Sequence, residues 1–509
     1  MKKTSLTIIL IFSMLSALFA QEITLTEIPS RKFEGVKEIE GVGYYTFYFD
    51  AKAKKGFRDF TIAMYDYDLN EINTTKINLP KHVVLVDGVA NKENLLMAFI
   101  DAKKKKVTYM TFDFEGNKVK QRLDEVKNKL ILTDVRYRPK LFDGEDNSFF
   151  VVKVIKEKRY GYQVEKLDNN LKSLWTESYT PQKGIIMPID AVNENGVLAI
   201  TSLKYPTLMS RKFDTNLSVF ETSEGDHLFD TKINSESVYP VPSSVTIDND
   251  GGIVLGGMYY EGSKVRNKNS DGVFLLKFNQ DGTENFFKTT DWDNGLQAQL
   301  KASTKKELLS SKPMVLFHDI ESTDTGYRVI GETFRKSVDK LQSALSIAGG
   351  GGVNLKFSIL DFAIFNFDKK GEVEGFDIIS KEPRNVDMEA VFGDNSAMLT
   401  NNMVIARALK RYGYFGYRFT TQDAEGDDAI VYFNSPGGTI KLKVRPYYAI
   451  AKLSDPDNPI KYELRGEDRK FSKGSLNRIG VLDNNEGGKL LLYNYDRSEK
   501  TLTVWIEKY

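Results

Sequence analysis

The sequence predicts an all-β protein, a β-propeller of about eight four-stranded blades, with about seven blades as the alternative. The first observation is a unit that recurs roughly every 45 to 90 residues: an aromatic-rich strand, an Asp or Asn turn, and a second strand. The second is a period-two alternation of apolar and polar residues, which is typical of half-buried strands. A single blade cannot bury both of its faces, so the repetition favours a closed ring.

Seven turn markers divide the chain into successive blades. They are Asp68, Asp113, Asp168, Asp214, Asn279, Asp368 and Asp455. Two alternating segments precede each marker, and we expect them to be the middle strands of a blade. In the first blade they are 43–49 and 60–67, and in the fourth they are 197–203 and 208–213. The more polar segment after each marker suits the outer edge of a blade.

The two chain ends are predicted to complete one blade together. Residues 490–495 and 501–507 form a last strand pair without a fourth strand, while 22–27 is a strand without a hairpin partner. Pairing between the ends removes an exposed sheet edge and fixes both termini. We therefore predict a single closed propeller domain over residues 21–509, with short helical insertions.

Two insertions interrupt the repeat, at 335–360 and 387–411. In the first, the apolar residues of 338–348 have helical spacing and precede a run of glycines, which predicts a short helix with a flexible exit. In the second, the apolar residues of 403–409 predict another helix. A third helix is predicted at 304–312, where the sequence fits a capping box.

Residues 1–20 predict a secretory signal peptide, because Lys2 and Lys3 precede an uncharged apolar run over 4–19. No later segment of the sequence approaches the roughly 20 apolar residues that a membrane-spanning helix needs. The chain contains no cysteine, which excludes disulfides and lipid attachment to an N-terminal cysteine. We expect an exported protein, periplasmic or secreted, that has no transmembrane segment and is not a lipoprotein.

Charge and motifs argue against several classes of function. The 71 basic and 70 acidic residues give a net charge of +1, which disfavours a nucleic-acid partner. His82, His227 and His318 fall in separate candidate blades, and we find no nucleophile motif, so we predict no metal site and no catalytic triad. We nominate no catalytic residue and no cofactor, and we favour a non-catalytic protein over an enzyme.

The candidate binding residues lie where the repeat is interrupted. They are Arg335, Lys336, Tyr412, Tyr414, Tyr417 and Arg418. The segment 411–418 interleaves aromatic rings with Arg and Gly, and rings beside guanidinium groups suit sugars or peptides. Long loops on a rigid scaffold often carry binding sites. Alternating aromatic residues are also typical of packed strands, so a core role is the alternative for this segment.

The run 250–257, followed by 271–282, resembles the blades of secreted bacterial propeller-like proteins. The overall plan, with a glycine-bearing insertion before 361–368, is also similar to a family of exported bacterial proteins of unknown function. This resemblance implies a propeller and no site residues. We expect an exported scaffold that binds a protein or glycan partner through rim loops. The alternatives are a polysaccharide-active enzyme that uses channel carboxylates and a structural component of the cell envelope.

Overall fold

The structure is a computed structural model of the chain. The described residues are 22–28, 33–50, 55–126, 138–207, 210, 212–233, 237–263, 265, 270–296, 314–338, 355–387, 402–423, 425–434, 447–456, 458–463, 479–483, 488–496 and 499–509. The predicted signal peptide and the predicted helix at 304–312 lie outside these residues.

The first four blades follow one another along the chain. Strand β1 is Glu22–Leu25. Blade 1 contains β2 (Phe33–Ile39), β3 (Gly43–Phe49), β4 (Phe57–Tyr65) and β5 (Glu71–Pro80). Blade 2 contains β6 (Val84–Ala90), β7 (Asn94–Asp101), β8 (Lys106–Asp113) and β9 (Lys118–Glu125). Blade 3 contains β10 (Lys140–Asp143), β11 (Phe149–Lys156), β12 (Tyr160–Leu167) and β13 (Ser173–Tyr179). Blade 4 contains β14 (Ile185–Glu194), β15 (Val197–Tyr205), β16 (Asp214–Glu221) and β17 (His227–Lys232).

The remaining blades include both described helical segments. Blade 5 contains β18 (Val238–Ile247), β19 (Ile253–Glu261), β20 (Gly272–Phe278) and β21 (Glu284–Asp291), and a π-helical turn follows at Trp292–Leu296. Blade 6 contains β22 (Met314–Ser322), β23 (Gly326–Val338), β24 (Leu355–Asp368), β25 (Val373–Ile379) and a fifth strand, β26 (Arg384–Asp387). Helix α1 is Asn402–Arg411. Blade 7 contains β27 (Tyr417–Gln422), β28 (Asp428–Asn434), β29 (Tyr447–Lys452) and β30 (Ile460–Glu463). Blade 8 contains β31 (Ile479–Asp483), β32 (Lys489–Asp496), β33 (Thr501–Lys508) and β1.

The described strands form eight antiparallel sheets, which confirms the predicted propeller and its eighth blade. The middle strands of each blade are its most buried strands: every residue of β7 and of β20 is buried. The fourth strands are polar and largely exposed, as in β9 and β13. The main apolar core therefore lies between neighbouring blades, where each sheet covers the next.

The ring closes through the chain ends, as the sequence predicts. Strand β1 pairs antiparallel with β33, with Glu22 opposite Trp505 and Leu25 opposite Leu502. Just beyond β1, the amide of Ile28 donates to the carbonyl of Lys500 over 2.9 Å. The N-terminal strand thus provides the outer strand of the last blade.

The repeated aspartates are turn formers. Asp66 Oδ1 accepts hydrogen bonds from the amides of Asp68 (3.0 Å) and Asn70 (2.8 Å). Asp368 Oδ1 binds the amides of Lys370 and Glu372 at 2.8 Å in the same way. These side chains stabilise the corner between the third and fourth strands, as an Asx turn does. The marker of blade 1 is therefore Asp66 and not the predicted Asp68.

In blade 4, the first predicted middle strand, 197–203, lies within β15, but the second, 208–213, is wrong. Asp214 begins the third strand, β16, where it pairs with Lys204, and it does not mark the corner to the fourth strand. That corner follows Glu221, whose carboxylate accepts from the amide of Ser223 over 2.8 Å. The pair Phe213 and Asp214 imitates the aromatic and acidic marker of other blades, which explains why a strand was predicted there. Of 208–213, the structure describes 210, 212 and 213, and these residues are not in a strand.

The insertion in blade 6 contains long strands. Met314, which begins β22, pairs with Phe334, so 335–338 of β23 extend beyond the inner strand and pair with the first residues of β24. Strand β26 adds to this extension from the other side of β24. We call 335–338 with 355–360 the arm. The predicted helix at 338–348 is wrong at its first residue, which ends β23, and its remainder lies outside the described residues.

Helix α1 confirms the helix that the apolar residues of 403–409 predict. In the part of the chain that the structure describes, no helix is long and apolar enough to cross a membrane.

Hydrogen-bonded ion pairs connect neighbouring blades. Arg122 of blade 2 binds Glu165 of blade 3 through two bonds of 3.0 and 2.8 Å. Such a bidentate pair fixes both the distance and the orientation of the two sheets. Between blades 5 and 6, the Tyr327 hydroxyl donates to Asp248 Oδ2 over 2.9 Å, beside the Lys277 ammonium at 2.6 Å. These polar contacts supplement the apolar core and set how each blade sits on the next.

Candidate functional site

Helix α1 lies against the inner strands of blades 5 and 6. Its buried residues include Met403, Ile405, Ala406 and Leu409. Asn402 Nδ2 donates to Met314 Sδ (3.2 Å) at the start of β22, and Lys410 Nζ donates to the carbonyl of His318 (3.3 Å) further along the same strand. Arg407 donates to the carbonyl of Pro242 on β18. The helix therefore runs along the inner strands into the central channel.

A Schellman motif ends α1. The amide of Gly413 donates to the carbonyl of Lys410 (2.8 Å), and the amide of Tyr414 donates to that of Leu409 (2.9 Å). Gly413 has a φ of 72°, in the left-handed region that this motif requires and that glycine adopts most easily. This glycine therefore sets the direction in which the chain leaves the helix toward β27.

Among the described strands, the inner strands of six blades contain a β-bulge. A bulge leaves one residue out of the pairing register and redirects its side chain. In blades 6 and 7 the bulged residues are His318 and Arg418. Both line one cavity, so the bulges of two neighbouring blades converge on the same space.

This cavity, which we call the channel pocket, has a volume of about 390 Å³ and lies between the inner strands of blades 6 and 7 at the end of α1. Its lining residues are His318, Asp319, Lys410, Phe415, Tyr417, Arg418 and Phe419. The Tyr417 ring stacks on His318 with centroids 5.1 Å apart, and its hydroxyl donates to Asp319 Oδ2 over 2.7 Å. The wall thus combines aromatic rings with cationic side chains and a carboxylate.

His318 is a buried and neutral part of this wall. Its Nε2 lies 3.2 Å from Glu332 Oε2 but out of line for a hydrogen bond, and Nδ1 has no partner among the described residues. Burial lowers the pKa of His318 to about 4, and the charges of Lys410 and Arg418 act in the same direction, against the attraction of Glu332. At neutral pH the ring is therefore uncharged and contributes an aromatic surface.

Glu332 holds the wall of the pocket in place from behind. Its side chain is fully buried, with Oε1 2.8 Å from the Lys381 ammonium, and Oε2 accepts from the amides of Gly416 (2.8 Å) and Tyr417 (3.3 Å). Burial acts to raise the pKa of Glu332, but Lys381 and the neighbouring His318 outweigh it and hold the pKa at about 2. The carboxylate is ionised and fixes the start of β27.

A group of cations lines the channel next to this pocket. On α1, Arg407, Lys410 and Arg411 have the spacing that puts them on one face of a helix. Across the channel, Lys140 Nζ donates to the carbonyl of Ile189 (2.9 Å) and lies 3.6 Å from Asp190 Oδ1. We call Lys140, Arg407, Lys410 and Arg411 the channel cations.

The structure brings some of the predicted site residues together. Tyr417 and Arg418 line the channel pocket. The Arg418 guanidinium donates to the carbonyls of Phe415 and Tyr417, both over 2.9 Å. Tyr414 lies beside the pocket wall, where Arg384 donates to its carbonyl (2.9 Å) and sits over its ring at 4.8 Å. The segment after α1 is thus partly core, as the alternative interpretation expects, and partly pocket lining.

The remaining predicted residues lie at the edge of the site. Tyr412 is half-buried and follows the last residue of α1, with its amide bonded to the carbonyl of Ala408. Arg335 is exposed and Lys336 is half-buried, and both belong to the arm, where they pair with β24. Phe334, at the base of the arm, contacts the pocket residue Phe415 with centroids 6.1 Å apart. The arm therefore stands beside the pocket and does not line it.

Sequence reasoning missed the channel cations and the two pocket residues of β22, His318 and Asp319. One signal was present: Arg407, Lys410 and Arg411 recur at the spacing that groups side chains on one face of a helix. Lys140 gave no such signal, because its position becomes meaningful only when the ring brings blade 3 near the helix. Among the described residues no group of three or more His, Cys, Asp or Glu could hold a metal ion.

A family model matches residues 1–508 of the chain. The chain belongs to the family of unknown function DUF6770. This membership agrees with the resemblance to a family without an assigned function, and it assigns no role to any residue of the DUF6770 chain. None of the curated proteins with which the chain was compared matches it.

Several solved structures are similar to this DUF6770 chain at low sequence identity. A protein of unknown function from Bacteroides caccae is 12% identical, covering 53% of this chain and 94% of its own, with a TM-score of 0.27. The WD40 domain of SCAP from fission yeast is 8% identical, covering 96% and 98%, with a TM-score of 0.40. A eukaryotic initiation factor is 10% identical, covering 88% and 93%, with a TM-score of 0.39. The function therefore has to be inferred from the residues of this chain.

Proposed function

We propose that this protein is an exported, non-catalytic binding propeller that holds a glycan partner in the channel pocket. The observation that carries the proposal is the pocket itself, a cavity of about 390 Å³ where aromatic rings, Lys410, Arg418 and Asp319 converge. Aromatic faces stack on sugar rings, and charged groups bind their hydroxyls. Export is supported by the predicted signal peptide at 1–20.

A glycan suits this site better than a folded protein does. The pocket is concave and within the range of about 300 to 1,000 Å³ that is typical of small-ligand sites. A stable protein partner would instead bury about 800 Å² on each side, over a broad and nearly flat surface. The arm with Arg335 and Lys336 stands next to the pocket, and this proximity supports a contact between the arm and a longer glycan chain that emerges from the channel.

Binding is also better supported than glycoside hydrolysis. Hydrolysis requires two carboxyl groups on opposite sides of the scissile bond. Among the residues that line the pocket, Asp319 is the carboxylate, and its Oδ2 accepts from the Tyr417 hydroxyl over 2.7 Å. The nearby Glu332 is fully buried and bound to Lys381 and to backbone amides. This arrangement offers a polar contact to a sugar and lacks the second carboxylate, as far as the described pocket extends.

The proposal is tested by screening the mature protein, residues 21–509, on immobilised neutral and acidic oligosaccharides. We expect at least one of them to bind, and we expect Tyr417→Ala and Asp319→Ala each to weaken that binding about tenfold, because each removes a contact to the sugar. Leu174→Ala, at a side chain that is 50% exposed on the outer strand of blade 3, should leave the affinity unchanged.

Thermal unfolding of each variant separates a lost contact from a lost fold. The proposal would be overturned if no oligosaccharide bound, or if folded Tyr417→Ala and Asp319→Ala variants both bound as tightly as the wild type.

A further inference from the structure

The channel cations occupy one small region near the axis of the ring. Lys410 and Arg411 are accessible to solvent. Burial nevertheless lowers the pKa of Lys410, as expected for a side chain that lines a channel. Lys140 begins an inner strand of blade 3 and is close enough for the charges of α1 to affect its pKa. Burial lowers its pKa, Asp190 opposes this effect, and the charges of Arg411 and Arg407 lower the pKa further.

Three of the channel cations face two carboxylates. Among the described residues, the carboxylates that act on Lys140, Arg407 and Lys410 are Asp190 and Asp319. Lys410 also donates a hydrogen bond to the backbone carbonyl of His318, and Arg407 donates one to that of Pro242. A carbonyl is a dipole and balances less charge than an anion does. Burial lowers the pKa of Arg407 to about 10, which is consistent with this incomplete compensation.

Arg407 also has an unused donor. Its Nη1 atom is buried and has no hydrogen-bond partner among the described residues. A buried guanidinium donor without a partner is costly, so this donor is available to an anionic ligand that enters the channel. The planar guanidinium fork matches carboxylate and phosphate oxygens in particular.

The position of the cations connects them to the pocket. Lys410 lines the channel pocket and also belongs to the channel cations. The whole chain is almost neutral, with 71 basic and 70 acidic residues, so this local excess of positive charge is not a reflection of composition. Cations in an enclosed channel attract an anion strongly, because the surrounding protein screens them less than water would.

We propose that the glycan is acidic and that the channel cations Lys140, Arg407, Lys410 and Arg411 hold its carboxylate or phosphate group while the pocket holds a sugar ring. This inference rests on the proposed function for the presence of a glycan, and it adds the charge of the glycan and the residues that recognise it. Lys410, at the junction of the two regions, contacts both parts of the ligand.

The test compares three oligosaccharides of matched length by isothermal titration calorimetry. They carry uronate groups, methyl-esterified uronate groups, or 6-phosphate groups. We expect one of the two acidic forms to bind at least tenfold more tightly than the ester, and the preferred form identifies the anion. Lys410→Gln and Arg411→Gln should each weaken this binding about tenfold, and the double variant more strongly. The affinity should also fall as salt rises.

Lys120→Gln serves as the matched control, because it removes the same charge from an exposed position on the outer strand of blade 2. Its affinity for the acidic glycan should equal that of the wild type. If the ester binds as tightly as the acids and Tyr417→Ala still weakens it, the glycan function stands and the inference of an acidic ligand is wrong.

Inorganic phosphate is the fourth probe and is independent of any sugar. Thermal stabilisation by phosphate that disappears in the Lys410→Gln, Arg411→Gln double variant supports the anion site, even in the case where all oligosaccharides fail and the glycan function is refuted. The inference would be overturned if phosphate stabilised all three proteins equally and both acidic oligosaccharides bound them with equal affinity, the three being wild type, the double variant and Lys120→Gln.

Discussion

Glu332 connects the core of blade 6 to the pocket wall of blade 7. It combines a buried ion pair to Lys381 with bonds to the amides of Gly416 and Tyr417. The backbone of Gly416 must come close for this contact, since a Cβ there would lie 3.0 Å from the carbonyl oxygen of Phe433 and 3.3 Å from Glu332 Oε1. A single side chain therefore positions the residues that we assign to the sugar.

We predict that Glu332→Gln lowers the free energy of unfolding by about 3 to 5 kcal/mol, because it leaves the buried Lys381 charge without its partner. Chemical denaturation monitored by fluorescence measures this loss. The control is Glu372→Gln, which breaks an exposed ion pair with Lys288 and should cost less than about 1 kcal/mol. Similar small losses for both variants would show that Glu332 does not stabilise the fold in this way.

The ion pair of Glu332 and Lys381 also makes the free energy of unfolding depend on pH. The pKa of Glu332 falls from 4.5 to about 2 in the folded protein, so its ionisation stabilises the fold above pH 4.5 and that stability is lost as the pH falls toward 2. The glutamine variant has no such group to protonate. The difference in unfolding free energy between wild type and Glu332→Gln should therefore narrow as the pH falls below 4.5.

The sequence indicates only some of the individual residues of the site. Tyr417 and Arg418 were found because aromatic residues, Arg and Gly alternate in one short segment. Glu332 and His318 lie on different strands from that segment and from each other. Their contacts follow from the bulge in β22 and from the packing of blade 6 on blade 7, and neither leaves a local pattern in the sequence.

Helix α1 is the element that turns a propeller channel into a candidate site. It carries Arg407, Lys410 and Arg411 on one face and packs its apolar face on blades 5 and 6. Its C-terminal end, which bears two of these cations, depends on the left-handed conformation of Gly413. A change at this glycine should therefore affect both the stability of the helix end and the ligand that its side chains hold.

We predict that Gly413→Ala destabilises the protein by about 1 kcal/mol, the usual cost of a left-handed alanine, and also weakens binding of the acidic oligosaccharide. Gly41→Ala is a matched control, because Gly41 has a φ of 75°, close to the 72° of Gly413, and a Cβ there meets nothing within 4 Å. Gly41→Ala should lower the free energy of unfolding by a similar amount and leave the affinity for the oligosaccharide unchanged. Equal affinities for the two variants would argue against a role of the helix end in binding.

The elements themselves were predictable to different degrees. Helical spacing at 403–409 located α1, and alternation located most strand pairs. The second middle strand of blade 4 was predicted too early in the chain, because Phe213 and Asp214 imitate the repeated marker although Asp214 starts β16. The arm was not foreseen, because 335–338 and 355–360 continue the strands of blade 6 without any change in composition that marks the extension.

At the scale of the whole molecule, closure of the ring creates the site. Pairing of β1 with β33 completes blade 8, so eight inner strands can surround one channel. Lys140 and Arg407 are far apart in sequence, and the charge of Arg407 lowers the pKa of Lys140 only because the ring brings blade 3 near α1. A repeat pattern predicts the ring, but it does not predict which side chains the ring brings to its axis.

The most direct test of the channel as the binding site is a crystal structure of the mature protein with the oligosaccharide that binds best in the calorimetric comparison. We predict a sugar ring against Tyr417 and the acidic group within hydrogen-bond distance of Lys410 and Arg407. A ligand bound on the outer strands of the blades, with the channel cations untouched, would contradict it.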